Sequence, residues 1–208
     1  MKPTLIFPFL FLSIPAFPQS IPFPAKPGMS TFKYKPETKQ DTIIYWNENR
    51  KLTWDDFKGA PPSDTMSIYG AATTSTITID YVCNDTILVY LIRAWFSKNK
   101  SWVREKGKTP EILRHEQLHF DITELYARKI RKSHKMFLDA VKGYKKIDCD
   151  KFEIQLQIGT MIKQMEEYEH RVYDLMTLHG LAEQAQADYE REIQNRLNEL
   201  SAFKANPF

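Results

Sequence analysis

An α+β fold is predicted by a change of hydrophobic period partway along the chain. Between residues 67 and 96 the sequence is β-branched and aromatic with partial alternation, the pattern of half-buried strands. From Thr109 onward apolar residues recur every three or four positions, as on one face of a helix. Strands precede helices in blocks and do not alternate with them. The sheet should therefore be small and mostly antiparallel, lie beside a first helix, and be followed by two long C-terminal helices.

The 208 residues leave room for one domain whose core needs no staples. The first twenty, MKPTLIFPFLFLSIPAFPQS, set Lys2 before an apolar run that ends in small and polar residues, the outline of a secretory signal peptide. The run falls short of the ~20 residues that span a bilayer, and Pro8 and Pro15 break it as a helix. No membrane span is expected once the signal is removed, and the mature chain is expected to be periplasmic or secreted. Residues 21–41, rich in Pro and Lys without a period, read as a linker, which leaves 42–208 as the folded domain. A dispersed net charge of +3 argues against nucleic acid as a partner. The one dense basic stretch, Lys98 to Lys108, reads as a solvated loop. Cys83 and Cys149 are an even pair in an exported chain and are expected to form a disulfide. Closing so long a loop contributes roughly 4 kcal/mol on the chain-entropy account.

The domain opens with IIYWNENRKLTWDDFKGAPP, where Trp46, Trp54 and Phe57 anchor a core edge and Gly59 to Pro62 turn the chain. Residues 67–82 and 86–96 then read as an antiparallel pair around Asn84 and Asp85, with the second strand offering an edge to an extended substrate. Thr109 is the N-cap of the first helix and Pro110 its first residue. Ile112, His115, His119, Ile122, Tyr126 and Ile130 form the inward stripe of that helix, and Gly143 ends it. A second helix over 151–179 carries a seam of Ile154, Ile158, Met161, Met165, Tyr168, Val172, Leu175 and His179, with Gly180 as its cap. A third helix fills 181–201, with Ala182, Ala185, Tyr189, Ile193, Leu197 and Leu200 inward.

His115, Glu116 and His119 form a His-Glu-x-x-His pattern inside the first stripe. Residues four apart sit one turn apart on the same face, so two imidazoles can hold one Zn2+ at ~2.0–2.1 Å. The glutamate is rotated about 100° from the first histidine, so it flanks the ion and serves as a base toward its water. The bland alternative is a pair of core histidines satisfied by hydrogen bonds; two imidazoles one turn apart on an apolar stripe, with the glutamate in place and the chain exported, favour a metal over it. A catalytic zinc takes a third protein ligand. Asp121 and Glu124 lie off the stripe, and the position where some metallopeptidases place a third histidine is Leu125. His179, at the end of the second seam, is the preferred third ligand, with Glu169 next. His134 and His170 fall off both stripes and read as surface residues.

The segments LTWDDFKGAPP, RHEQLHFDITELYARK and YDLMTLHGLAEQAQADY, in this order, resemble an exported bacterial family catalogued as domain of unknown function nine hundred twenty-two. That family is grouped with zinc metallopeptidases of the zincin type, and the resemblance covers roughly residues 43 to 200. Its Trp-x-x-Phe-x-Gly segment is similar to Trp54, Phe57 and Gly59, and its Tyr-Asp-x-x-Thr-x-His-Gly segment to Tyr173, Asp174, Thr177, His179 and Gly180. The resemblance implies a zincin-like fold and does not supply a substrate; a peptide or protein substrate is expected from the peptidase reading as a whole. Residues and resemblance together lead to an exported Zn2+-dependent peptidase, with His115, His119 and His179 on the metal and Glu116 as the base. Tyr173 is a candidate oxyanion donor, with a buried structural role as its alternative. The rival readings are a non-catalytic zincin that binds a cell-envelope partner and a purely structural zinc site. Oligomeric state is left open.

Overall fold

In the computed structural model, which describes residues 42–63, 70–83, 88–141 and 159–205, one long helix is the spine against which the main sheet and the C-terminal helical segments pack. This helix, α1 (Pro110–Val141), starts as its cap chemistry demands: Thr109 Oγ1 accepts from the Ile112 N–H at 3.3 Å, and Pro110 needs no donor there. Its middle is buried nearly all round and not on one stripe, because a sheet covers one side and the C-terminal helices the other.

The sheet has the order β1-β4-β3, built from β1 (Ile43–Tyr45), β3 (Ser75–Cys83) and β4 (Leu88–Ser97). The predicted antiparallel pair is β3 and β4, in register from Ser75 opposite Phe96 to Cys83 opposite Leu88. Alternation then puts Ile92, Ala94 and Phe96 on the face that meets α1, where Phe57, Phe96 and Phe120 form a chain of ring contacts. β4 is the central strand and not the free edge: β3 runs along one side and β1 covers residues 95–97 on the other. The basic stretch is not simply a loop either, since β5 (Trp102–Val103) pairs with β2 (Ala71–Ala72). Gly59 bridges to Trp102 and donates to the Ser101 carbonyl at 2.8 Å, and a Cβ there would lie 2.8 Å from that same oxygen.

Past α1, residues 159–164 are α-helical, Met165–His170 form a π-helical turn, and α2 (Arg171–Thr177) follows. α3 (Glu183–Glu199) then packs on α1, with Ile193 and Leu197 inward as the sequence period predicts. A buried ion network ties these layers. Glu124 accepts from Arg128 and Arg131, and these guanidiniums also donate to the carbonyls of Leu197, Phe203 and Ile92. The signal segment, the linker and the predicted Cys83–Cys149 bridge lie outside the described residues, although the backbone of Cys83 closes β3. No described helix is long and apolar enough to cross a membrane.

Candidate metal centre

His115 and His119 leave α1 on one face, and their Nε2 atoms come within 3.2 Å of each other. The group that meets them comes from α2. Asp174 Oδ1 lies 3.1 Å from His115 Nε2 and 2.9 Å from His119 Nε2. A tetrahedral ion with bonds of ~2.0–2.1 Å holds its ligand atoms about 3.3 Å apart, so two imidazoles and a carboxylate at these separations fit one divalent ion. Among the described residues these three form the one group of His, Cys, Asp and Glu donors close enough to do so. His115 is 2% exposed, while His119 and Asp174 are half-buried, which closes the centre toward the core and opens it on the other side.

The π-turn is what delivers Asp174. A π-turn takes in one residue more than an α-turn, so the helix face advances by one position across it. The predicted seam holds at Met165, which is buried, and then slips. Val172 and Leu175, expected inward, are 43% and 63% exposed, and Tyr173 and Thr177 are buried in their stead. His170, which reads as a surface residue in the sequence, is brought against the site: its Nδ1 lies 2.9 Å from His119 Nδ1. Burial, reinforced by His119, lowers His170 to about 3 against an opposing pull from Asp174, so it is neutral beside its partner. His134 is likewise no surface residue, being half-buried with its ring 4.2 Å from that of Tyr90.

His179 lies just beyond the helix end, where Leu178, His179 and Gly180 all have positive φ (49°, 55° and 85°). Its Nδ1 is 3.6 Å from Asp174 Oδ1, and its ring centroid is 6.3 Å from that of His115. It therefore stands against Asp174 and outside the three-donor group, and its backbone N–H donates to the Asp174 carbonyl at 2.9 Å. Gly180 is required twice over, by its φ and because a Cβ there would lie 2.8 Å from His115 Cβ. Glu169, the other candidate ligand, is held elsewhere: Arg196 donates to it at 2.8 Å and Tyr126 at 3.3 Å.

Burial would raise the Asp174 carboxyl, but hydrogen bonds with His115 and His119 outweigh it and hold the group well below its ordinary 3.8. Tyr173 is fully buried, and its hydroxyl has two acceptors, Gln186 Oε1 at 2.7 Å and the His115 carbonyl at 3.2 Å. One hydroxyl carries one proton, so the oxyanion role expected of Tyr173 has no free donor. Its ring instead stacks on His115, 4.5 Å between centroids and 21° between planes. Burial, with the charges of Glu116, Glu190 and Asp174 adding to it, keeps that hydroxyl un-ionised.

Glu116 is 4% exposed, and its Oε2 has no hydrogen-bond partner among the described residues. Besides Asp174 as a donor and His170 as a neighbour, sequence reasoning missed Gln186: a polar residue one position past the seam residue Ala185 looks like solvent-facing helix, yet it is fully buried. Close to Asp174 in the sequence, Val172, Leu175, Met176, Leu178 and Leu181 are all exposed. Fold and site together define an α+β protein with a candidate two-histidine, one-aspartate metal centre on its central helix. Protein-family models, curated proteins and solved structures offer no match to this chain.

Proposed function

We propose that this chain is an exported zinc-dependent hydrolase of zincin-like architecture that cleaves peptide bonds. The observation that carries the reading is Glu116, a buried carboxylate with an oxygen unpartnered among the described residues, directly after the first of two histidines whose nitrogens converge on a third donor. An unpaired buried carboxylate oxygen is costly in a fold that has no use for it. As a general base it would hold, at Oε2, the proton taken from the attacking water and return it to the leaving amine. His115, His119 and Asp174 would hold the ion. A bound Zn2+ supplies Lewis acidity, bringing the pKa of a coordinated water toward ~7 and polarising the substrate carbonyl.

Two histidines and one carboxylate also suit non-haem Fe2+. Glu116 favours hydrolysis, since redox chemistry at the ion has no need of a base there. The same residue weighs against a binding module without catalysis, which has no need of one either. The exposed apolar side chains close to Asp174 in the sequence suit a polypeptide that offers large apolar side chains. The segments that resemble the zincin-type family, and the signal-like first twenty residues, agree with this class and with export.

The test is metal content and cleavage measured together. Mature protein from zinc-replete expression should carry about one zinc per chain by native mass spectrometry. Glu116→Gln should keep that zinc and lose cleavage of a fluorogenic peptide library, because the amide preserves shape and removes the base. A folded chain that takes up no metal sinks the proposal, and undiminished cleavage by Glu116→Gln sinks its mechanism.

A further inference from the structure

The hydrogen bonds around Gln186 can be assigned one at a time from what each group is able to donate. Glu190 Oε1 pairs with Arg114 Nε at 3.2 Å and lies 2.9 Å from the Gln186 amide nitrogen. Arginine only donates and a carboxylate only accepts, so the Gln186 NH2 must point at Glu190. Gln186 Oε1 is thereby turned toward Tyr173, whose hydroxyl donates to it at 2.7 Å, and toward His115 Nδ1 at 3.3 Å. An amide oxygen cannot donate, so His115 Nδ1 carries the hydrogen.

Thr177 leads to the same result independently. Its hydroxyl proton is committed to the Tyr173 carbonyl at 2.8 Å, which leaves the oxygen to accept. That oxygen is 3.4 Å from His115 Nδ1. The Nδ1–H is thus shared between two buried acceptors, which accounts for arms longer than a single bond. His115, Gln186, Thr177 and Tyr173 are all buried, so no water competes for these groups.

We infer that Gln186, held by Glu190 and Arg114 and assisted by Thr177, is a positioning residue that fixes a hydrogen of His115 on Nδ1, so that Nε2 is the nitrogen the ring gives up to a divalent cation. In the metal-free chain Nε2 meets Asp174 Oδ1 at 3.1 Å, and a bound cation takes the place of any hydrogen there; without Gln186 the ring settles in the neutral Nε2–H form, which keeps that bond and blocks the site. The carboxylate, Gln186, His115 chain runs through α3 and α1 and performs what a carboxylate alone often does behind a metal-bound histidine. Its meaning for the bound ion rests on the zinc reading above, while the placement of the hydrogen does not.

The test uses the mature chain with 15N-labelled histidine, in three forms. These are wild type, Gln186→Met (same length, no acceptor), and the exchange Gln186→Glu with Glu190→Gln, which again turns an oxygen to His115 and a donor to residue 186. Metal-free wild type should show a protected His115 Nδ1–H in the two-dimensional 1H–15N spectrum at mildly alkaline pH. In Gln186→Met that proton should exchange faster and population should move toward Nε2–H, with zinc affinity down about 10- to 100-fold in a chelator competition. The exchanged pair should recover both. Wild type with the hydrogen on Nε2, or Gln186→Met with both the Nδ1–H signal and the zinc affinity of wild type, overturns the inference. A wild type that binds no zinc yet shows the Nδ1–H would defeat the hydrolase reading and leave the positioning role standing, so the two failures are distinguishable.

Discussion

Replacing Asp174 with alanine removes the one carboxylate among three converging donors, and this is the sharpest test of how the centre is built. Asp174 Oδ1 is 3.1 and 2.9 Å from the two imidazole nitrogens, whereas His179 Nδ1 is 3.6 Å from that oxygen and outside the group. Four-ligand zinc sites bind with apparent free energies of ~10–16 kcal/mol near neutral pH, which is ~2.5–4 kcal/mol per ligand. At 1.4 kcal/mol per tenfold, Asp174→Ala should weaken zinc binding by about 10²- to 10³-fold. His179→Ala removes a contact to the carboxylate from outside the three-donor group and should cost about tenfold, the low end for an outer partner. The assay is competition with a fluorescent zinc chelator at neutral pH, with thermal melts of the metal-free proteins to separate loss of a ligand from loss of fold. If Asp174→Ala binds zinc as wild type does while His179→Ala loses about a hundredfold or more, the third ligand is His179 and the register argument is refuted.

Three further outcomes are expected. Glu124→Gln leaves the buried Arg128 and the nearby Arg131 without their counter-charge and should cost ~3–5 kcal/mol, a fall in Tm of roughly 6–20 °C; calorimetry showing almost no change would contradict it. Burial raises the Glu169 carboxyl, but the Arg196 hydrogen bond and charge outweigh that and hold it below 4.5. A depressed carboxyl contributes stability that is complete above the unfolded value and lost as pH falls through the folded one. Wild type should therefore lose stability below about pH 4.5 more steeply than Glu169→Gln, and superimposable melting-against-pH curves would show the pair to be inert. Gly180→Ala forces a side chain onto φ 85° and against His115, so it should cost ~1–2 kcal/mol from the backbone alone and also weaken zinc. Gly159→Ala, where a Cβ meets nothing within 4 Å, should be neutral or stabilising, and equal effects at both glycines would refute the packing argument.

Much of the fold was legible because it is set by short-range rules. The β3–β4 pair follows from composition and alternation, and the start of α1 from Thr109 and Pro110. The sequence by itself also determined that His115 and His119 share a face with Glu116 beside them, since 3.6 residues per turn leaves no other arrangement on a helix. It did not determine that β4 is central, because strand order depends on which segments return to which edge. Nor did it determine what faces the two histidines. The four-three seam of the second helix assumes an unbroken α-helical period, and the π-turn at Met165–His170 adds one residue to it. That single step turns Val172 and Leu175 to the surface, brings Asp174 and His170 to the side of His115 and His119 and leaves His179 at the edge. Gln186 was hidden for a related reason. Period identifies apolar positions that face a core, but a buried amide is tolerated only where Glu190 meets its nitrogen and Tyr173 and His115 its oxygen. Those partners come from three helices, and only the packing of α1, α2 and α3 brings them together.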